Sequence, residues 1–135
     1  MTTATDLSNI RARDLMCGEI HWTTPDEPLM QAARRMHSSG IRALLVRPGN
    51  VRTLPGILTC KDIVGLYGTQ DPAVLEHLTV SDVATSPAVC IPAQATVREC
   101  IATMRMVGVR RMPVLENNEI VGVLSTTDLF QHLIE

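Results

Sequence analysis

Two short segments of the sequence carry residue types that could bind a ligand. Each follows the pattern glycine, two apolar residues, a hydroxyl residue, two variable residues and an aspartate, at residues 56–62 and again at residues 122–128. A hydroxyl and a carboxylate at the start of a helix can bind phosphate and accept the hydroxyl groups of a ribose. The same groups can instead close a capping box, in which each accepts a hydrogen bond from a backbone N–H. The pattern leaves both interpretations open, although capping alone does not require the upstream glycine.

The two segments belong to a longer internal repeat. Residues of the first half recur as identical or similar residues at an offset of 68 positions, and later ones at an offset of 66. The first set pairs Asp14, Leu29, Gly40 and Val46 with Asp82, Val97, Gly108 and Val114, and the second pairs Gly56, Thr59 and Asp62 with Gly122, Ser125 and Asp128. The offset changes across the loop at residues 47–53, which is longer in the first copy. Two copies of so short a unit most easily pack about a pseudo-two-fold axis as one module, with paired clefts between them.

The spacing of apolar residues predicts the elements that position these segments. In each copy an amphipathic helix ends at a glycine and is followed by two strands and a second helix. The predicted ranges are helix 28–39, strands 42–46 and 54–58 and helix 60–67 in the first copy, and helix 96–107, strands 110–115 and 119–124 and helix 126–134 in the second. Shorter helices are predicted over 10–16 and 72–78, an extended stretch over 20–23, and a hairpin at Glu116-Asn117-Asn118. The predicted fold class is α/β, with two β-α-β-β-α repeats.

The repeat also predicts the division of the chain. We expect a flexible N-terminal arm at residues 1–9, repeat 1 at 10–70, a connecting segment at 71–79 and repeat 2 at 80–135. Each repeat on this division contains one complete copy of the unit.

Composition narrows the class of protein. The net charge is −2 and only three residues are aromatic, so neither the basic footprint nor the stacking platforms typical of nucleic-acid binding are present. No apolar run reaches the ~20 residues of a membrane span, and no signal peptide pattern opens the chain, which favours a cytoplasmic protein with no membrane partner. The four cysteines and four histidines lack the spacing of metal ligands or of a catalytic nucleophile. We therefore expect no metal site and no enzyme activity.

Together these segments resemble the cystathionine β-synthase (CBS) domains, which occur as tandem pairs called Bateman modules. The resemblance covers residues 11–134. The order, spacing and duplication of its motifs are together more specific than any one motif. It is carried by Arg13-Asp14-Leu15-Met16 and Val80-Ser81-Asp82-Val83, by the segments 40–46 and 108–114, and by the two glycine-to-aspartate motifs. The chain is thus similar to a stand-alone CBS pair.

The resemblance implies roles for individual residues. In nucleotide-binding members the aspartate holds the ribose, which here implies Asp62 and Asp128. The hydroxyl position contacts phosphate, which implies Thr59 and Ser125. Basic residues that begin the middle strand often reach phosphates, and the loop entering each copy lines the cleft of the other copy. The implied phosphate ligands are Arg42, Arg110 and Arg111, and the implied lining of the base and cleft is Ile41, Val109, Cys17, Gly18, Glu19, Ser86, Pro87 and Ala88.

The two copies differ at this site. Ala43 stands where the second copy has Arg111, so the first copy offers fewer phosphate donors. Glu19 near a cleft would repel a phosphate by its charge. We therefore expect two unequal sites. An alternative for Arg110 and Arg111 is a pair of salt bridges to surface carboxylates such as Glu116 or Glu119.

Two functions fit these observations. The first is a regulatory module that binds an adenosine-containing ligand, such as AMP, ADP, ATP or S-adenosylmethionine, and acts in trans on an unidentified protein partner. The second is a structural dimerisation scaffold with unoccupied clefts. No catalytic cofactor is expected in either case, and an adenine nucleotide would be a bound ligand. A homodimer is expected because Met106 and Val107 lie off the buried stripe of their helix and leave surplus apolar surface. The presence of both aspartates favours the first function.

Overall fold

The chain folds into two compact units that do not follow the order of the repeats. The computed structural model describes residues 7–49 and 54–134. Unit 1 comprises Met1–Ile20 together with Val89–Glu135, and unit 2 comprises His21–Ala88. The N-terminal segment therefore belongs to the same unit as the second repeat. Residues 1–6 of the expected arm and residues 50–53 of the expected loop lie outside the described part.

The principal predicted elements are present. In chain order the elements are α1 (Ala12–Leu15), β1 (Trp22–Thr23), α2 (Leu29–Ser39), β2 (Ala43–Val46), β3 (Gly56–Thr59), α3 (Cys60–Tyr67), α4 (Pro72–Leu75), α5 (Val80–Val83), β4 (Ile91–Pro92), α6 (Val97–Val107), β5 (Arg111–Glu116), β6 (Glu119–Ser125) and α7 (Thr126–Ile134). β3 begins two residues later than predicted, after Pro55, because a proline cannot donate to a strand ladder. The two short helices are shorter than predicted, and α5 was not predicted.

Unit 2 is built on a three-stranded sheet. The strand order is β1-β2-β3, in which β1 is parallel to β2 and β2 is antiparallel to β3. Helix α2 buries Leu29, Ala32 and Met36 against this sheet, the same helical face that the apolar spacing predicts. The helix ends at Gly40, whose φ of 67° is left-handed and favours glycine. The core of unit 2 thus lies between its sheet and α2, with Val80 of α5 adding to it.

Unit 1 repeats this arrangement with different chain segments. Its strand order is β4-β5-β6, with β4 parallel to β5 and β5 antiparallel to β6. The predicted hairpin is confirmed, since Asn117 and Asn118 have φ values of 52° and 64°. Helix α6 buries Val97, Cys100 and Met104. Ala12 of α1 is fully buried in the same cluster, so the N-terminal segment is part of this core.

Helices in the described part of the chain are short. Within residues 7–49 and 54–134, none combines the length and the apolar character needed to cross a membrane.

Candidate functional site

Each glycine-to-aspartate motif lies where the last strand of a repeat meets its last helix. In unit 2 the Thr59 N–H donates to Asp62 Oδ2 at 2.8 Å, and the Asp62 N–H donates to Thr59 Oγ1 at 3.3 Å. In unit 1 the Ser125 N–H donates to Asp128 Oδ2 at 2.9 Å, and the Asp128 N–H donates to Ser125 Oγ at 3.1 Å. The capping interpretation is therefore confirmed in both repeats. The cap uses Oδ2 of each aspartate, and Oδ1 takes no part in it.

An extended segment lies against each motif and explains its glycine. Cys17 and Val123 exchange two backbone hydrogen bonds of 2.9 Å in unit 1. A Cβ on Gly122 would lie 2.6 Å from the Met16 Sδ and 2.8 Å from the Cys17 carbonyl oxygen. Real Cβ atoms essentially never approach so closely, so only glycine fits without a shift of the segment. The upstream glycine, which capping left unexplained, is thus accounted for by packing.

Unit 2 has the same arrangement. Ile57 and Thr85 exchange backbone hydrogen bonds of 2.9 and 3.0 Å. A Cβ on Gly56 would lie 3.0 Å from the Thr85 carbonyl oxygen and 3.3 Å from the Ser86 Cβ. The contact is looser than the one at Gly122 in unit 1. The glycine therefore recurs because in both units an extended segment of the chain crosses close to the strand at this position.

These crossings bring part of the expected cleft lining to the motifs. Cys17 lies beside Val123, two residues before Ser125. Ser86 lies against Gly56, and the Ala88 N–H donates to the Pro55 carbonyl at 2.8 Å. The neighbouring Gly18, Glu19 and Pro87 are exposed. The contact of these residues with a base stays a prediction.

The arginines that immediately precede β2 and β5 have their backbone next to the helix starts. The Arg42 carbonyl accepts the N–H of Cys60 at 3.0 Å, and the Arg110 carbonyl accepts the N–H of Thr126 at 2.9 Å. Both arginines are exposed. Each motif therefore has the backbone of an arginine fixed beside the first residue of its helix, with an exposed side chain.

Strand register adds a second arginine in unit 1. Arg111 is the direct partner of Ser125 across the β5–β6 pair. Residues directly opposite in an antiparallel pair project to the same face, with Cβ atoms about 4.5–5.5 Å apart. In unit 2 the corresponding pair is Ala43 and Thr59. The difference between the copies therefore falls directly opposite the hydroxyl of the motif.

Salt bridges do not account for these arginines. Glu116 Oε1 lies 3.7 Å from a guanidinium nitrogen of Arg13. Among residues 7–49 and 54–134, the side chains of Arg42, Arg110 and Arg111 form no hydrogen bond or ion pair. The alternative that paired Arg110 and Arg111 with Glu116 or Glu119 is thus wrong for the described residues. An anion or water can satisfy their N–H groups.

A groove that the sequence did not predict lies beside the motif of unit 2. It has a volume of about 500 Å³ and runs between α2 and α3. Its lining is mainly apolar and reaches Ile41, Arg42 and Cys60. Ala33 on its wall stands where the second repeat has Ile101, and this small residue is the one sequence signal that could have indicated it. Val109, the counterpart of Ile41 in unit 1, is half-buried.

The thiols fall into two classes. Cys17 and Cys60 are exposed, whereas burial raises the pKa of both Cys90 and Cys100 to about 11. The thiols of the half-buried Cys90 and the buried Cys100 therefore stay protonated near neutral pH and are poor nucleophiles. Cys17 lies beside the motif of unit 1 and Cys60 lies within the motif of unit 2, so their reactivity can report on those sites.

The family model for the CBS domain matches residues 12–68 and 80–135, which together span most of the sequence. The chain belongs to the CBS domain family. It is 32% identical over 126 residues to Hypoxic response protein 1 of Mycobacterium tuberculosis, covering 92% of this chain and 85% of that protein. The tandem CBS pair expected from the sequence is therefore confirmed.

Solved CBS structures share this fold. A crystal structure of Hypoxic Response Protein I, described with two coordinated zinc ions, is 31% identical with a TM-score of 0.72, covering 91% of this chain and 98% of that one. A hexameric CBS-CP12 protein from bloom-forming cyanobacteria has a TM-score of 0.82 at 21% identity, covering 90% of this chain and 71% of that chain. The second likeness shows the fold alone. Within the described residues of this CBS pair, no three His, Cys, Asp or Glu side chains are grouped as metal ligands.

CBS domain pairs are generally regulatory and ligand-binding, and CBS domain proteins that lack an enzyme domain are typically non-catalytic. The chain is therefore assigned to a regulatory class of proteins. The ligand and the regulated partner are separate questions.

Proposed function

We propose that this CBS pair is a regulatory module that binds an adenosine-containing ligand at its motifs and acts in trans on a protein partner. AMP, ADP, ATP and S-adenosylmethionine are the candidate ligands. Asp62 and Asp128 would accept the ribose hydroxyl groups through Oδ1, while Thr59 and Ser125 would face phosphate. Arg42, Arg110 and Arg111 would supply cations to the phosphates.

One observation carries the proposal. In both units a hydroxyl and an aspartate lie at the start of a helix whose first N–H donates to the backbone carbonyl of an exposed arginine, and none of the three arginines has a side-chain partner among the described residues. A capping box alone would explain the hydroxyl and the aspartate but not these cations. Helix N-termini and guanidinium groups both favour phosphate. The same arrangement at two places in one chain supports a shared binding role.

Ligand binding is tested first by stabilisation. A ligand at 100 times its dissociation constant should raise the free energy of unfolding by about 2.7 kcal/mol. Differential scanning fluorimetry and native mass spectrometry against AMP, ADP, ATP, NADH and S-adenosylmethionine would measure it. An unmoved melting temperature with every compound at saturation, and no copurified nucleotide, would overturn the proposal.

Variants must separate ligand contact from capping, because Asp128→Ala removes both. Glu99 closes a similar capping box on α6 of the same unit, where the Thr96 N–H donates to Glu99 Oε1 at 2.8 Å. Asp82 closes one on α5 of unit 2, where the Thr79 N–H donates to Asp82 Oδ2 at 2.8 Å. Glu99→Ala and Asp82→Ala are therefore matched controls for Asp128→Ala and Asp62→Ala. We expect all four to lose stability and only the two motif variants to lose affinity for adenosine.

A scaffold function has its own support. In unit 1 Met106, Phe130 and Ile134 are 84%, 64% and 68% exposed, and in unit 2 Val64 and Tyr67 are 67% and 51% exposed. Exposed apolar residues on helices are typical of protein interfaces. A homodimer is part of both functions. Light scattering at tens of micromolar protein measures the oligomeric state. A monomer at that concentration would contradict the homodimer in both functions.

A further inference from the structure

We propose that the groove of unit 2 takes the ring of Phe130 from unit 1 of a second copy of this chain. Two copies then pair unit 1 with unit 2, and not like unit with like. The inference rests on the homodimer that the proposed function includes, because it names the two surfaces that meet in that dimer.

The groove lies where the first repeat has smaller side chains than the second. Ala33 on its α2 wall corresponds to Ile101, and Val64 on its α3 wall corresponds to Phe130. The groove between them is mainly apolar, with a volume of about 500 Å³. Unit 2 therefore has an apolar recess at the position where unit 1 has two larger side chains.

Unit 1 has a projecting apolar ridge at the corresponding place, formed by Phe130 and Ile134 on α7. These two residues are four positions apart and so lie on the same face of the helix. They are 64% and 68% exposed. An aromatic side chain can bury about 150–250 Å² of surface, so most of the gain from covering this ring has yet to be realised in the single chain.

The two surfaces also match in charge. The exposed residues of α7 are all uncharged, and they are Thr126, Thr127, Phe130, Gln131 and Ile134. The described lining of the groove contains no carboxylate, and its arginine, Arg42, is exposed and can keep its guanidinium in water. Depletion of charge around an aromatic residue is typical of the core of a protein interface. The ring can therefore enter the groove without burying an unpaired charge.

Pairing of like units would leave these surfaces unmatched. Two copies of unit 2 would place recess against recess, and two copies of unit 1 would place ridge against ridge. Pairing of unit 1 with unit 2 places the ridge in the recess. In a two-fold dimer this contact is made twice, once by the ring of each copy.

Two variants remove the contact from opposite sides. Phe130→Ala removes the ring, and Ala33→Ile fills the groove with the residue of the second repeat. Val64→Glu changes an exposed residue of the groove and blocks it by charge if Ala33→Ile does not fold. Met106→Ala is the control, because Met106 is 84% exposed in unit 1 but lies on α6, outside the ridge.

Light scattering over a range of protein concentrations gives the dissociation constant of the dimer. We expect Phe130→Ala and the groove variant each to raise it by about 30-fold or more, the effect of losing a residue that fills an interface pocket. Met106→Ala should raise it by less than about 5-fold, because contacts around such a residue contribute little.

Mixing Phe130→Ala with Ala33→Ile in equal amounts tests which units pair. In the proposed pairing, the ring of the Ala33→Ile copy meets the open groove of the Phe130→Ala copy. The mixed dimer therefore regains one contact that neither variant makes alone, and native mass spectrometry should find it in excess of the statistical half of all dimers. With like units paired, the mixed dimer would be intermediate in stability and show no excess.

A mixed dimer at or below the statistical half, or an equal effect of Met106→Ala, would overturn the proposed pairing while the homodimer and adenosine binding stand. A wild-type monomer at tens of micromolar would overturn both the pairing and the homodimer. Melting temperatures with the adenosine compounds measure ligand binding separately. Failure of ligand binding is therefore distinguishable from failure of the pairing.

Discussion

The glycine of the second motif gives a direct test of the chain crossing in unit 1. Gly122→Ala places a methyl group 2.6 Å from the Met16 Sδ and 2.8 Å from the Cys17 carbonyl. The methionine side chain can move, but the carbonyl belongs to a backbone that is hydrogen-bonded to Val123. The added methyl must therefore displace the segment or strain it.

Both outcomes give a similar loss of stability. Overpacking of a fixed site costs about 1–3 kcal/mol. If the segment instead moves away, two backbone hydrogen bonds are lost, at about 0.5–1.5 kcal/mol each. We expect Gly122→Ala to lower the free energy of unfolding by about 1–3 kcal/mol. Gly56→Ala should cost less, about 1 kcal/mol, because its nearest contact is 3.0 Å.

The control is a glycine without a close neighbour. A Cβ on Gly65 in α3 meets nothing within 4 Å, so Gly65→Ala should stabilise the protein by about 0.5–1 kcal/mol. Urea unfolding gives the order of the three variants, and hydrogen exchange at the amides of Cys17 and Val123 shows whether the segment has moved. A Gly122→Ala protein as stable as the wild type, with both amides still protected, would refute the packing explanation.

Three further predictions concern other side chains. The side chain of Glu27 is only 11% exposed and accepts hydrogen bonds from the buried Thr23 and from Arg35. Glu27→Ala should therefore lower the free energy of unfolding in urea by about 1–3 kcal/mol. Glu76→Ala, which breaks the exposed ion pair with Arg34, should lower it by at most about 1 kcal/mol. Iodoacetamide at pH 8 should modify the two exposed thiols first, because burial raises the pKa of Cys90 and Cys100 to about 11; equal rates for all four would contradict this. The N–H of its capping partner lowers the pKa of Glu99, so its contribution to stability is present above the unfolded pKa and is lost as pH falls through the folded pKa. Glu99→Gln should thus destabilise the protein at pH 6 and lose its effect in acid, and a difference from wild type that stays constant as the pH is lowered until the protein unfolds would count against the cap.

Local patterns predicted the parts of the site that depend on neighbours in sequence. The capping boxes, the hairpin asparagines and the buried face of α2 each depend on residues within a few positions, where spacing and residue type decide geometry. The internal repeat then fixed the order of the elements. The resemblance to CBS domains followed from the same features.

Contacts between distant segments could not be predicted in this way. The glycine pattern gave no indication that Met16 would lie against Gly122, because the approach depends on how the N-terminal segment packs. The sequence left open a salt bridge between Glu116 and Arg110 or Arg111, yet the partner of Glu116 is Arg13. Which of several arginines pairs with Glu116 depends on side-chain positions that are set only in the folded unit.

The division of the chain also limits how it can be cut. Residues 80–135 contain every strand of unit 1 but lack the segment that bonds to Val123. Such a fragment would leave the outer side of β6 with unsatisfied N–H and C=O groups, a template for pairing with another chain and hence for strand exchange or aggregation. A circular permutant that starts at Val89 and joins the original ends would carry Val89–Glu135 and Met1–Ile20 as one stretch and keep that side covered.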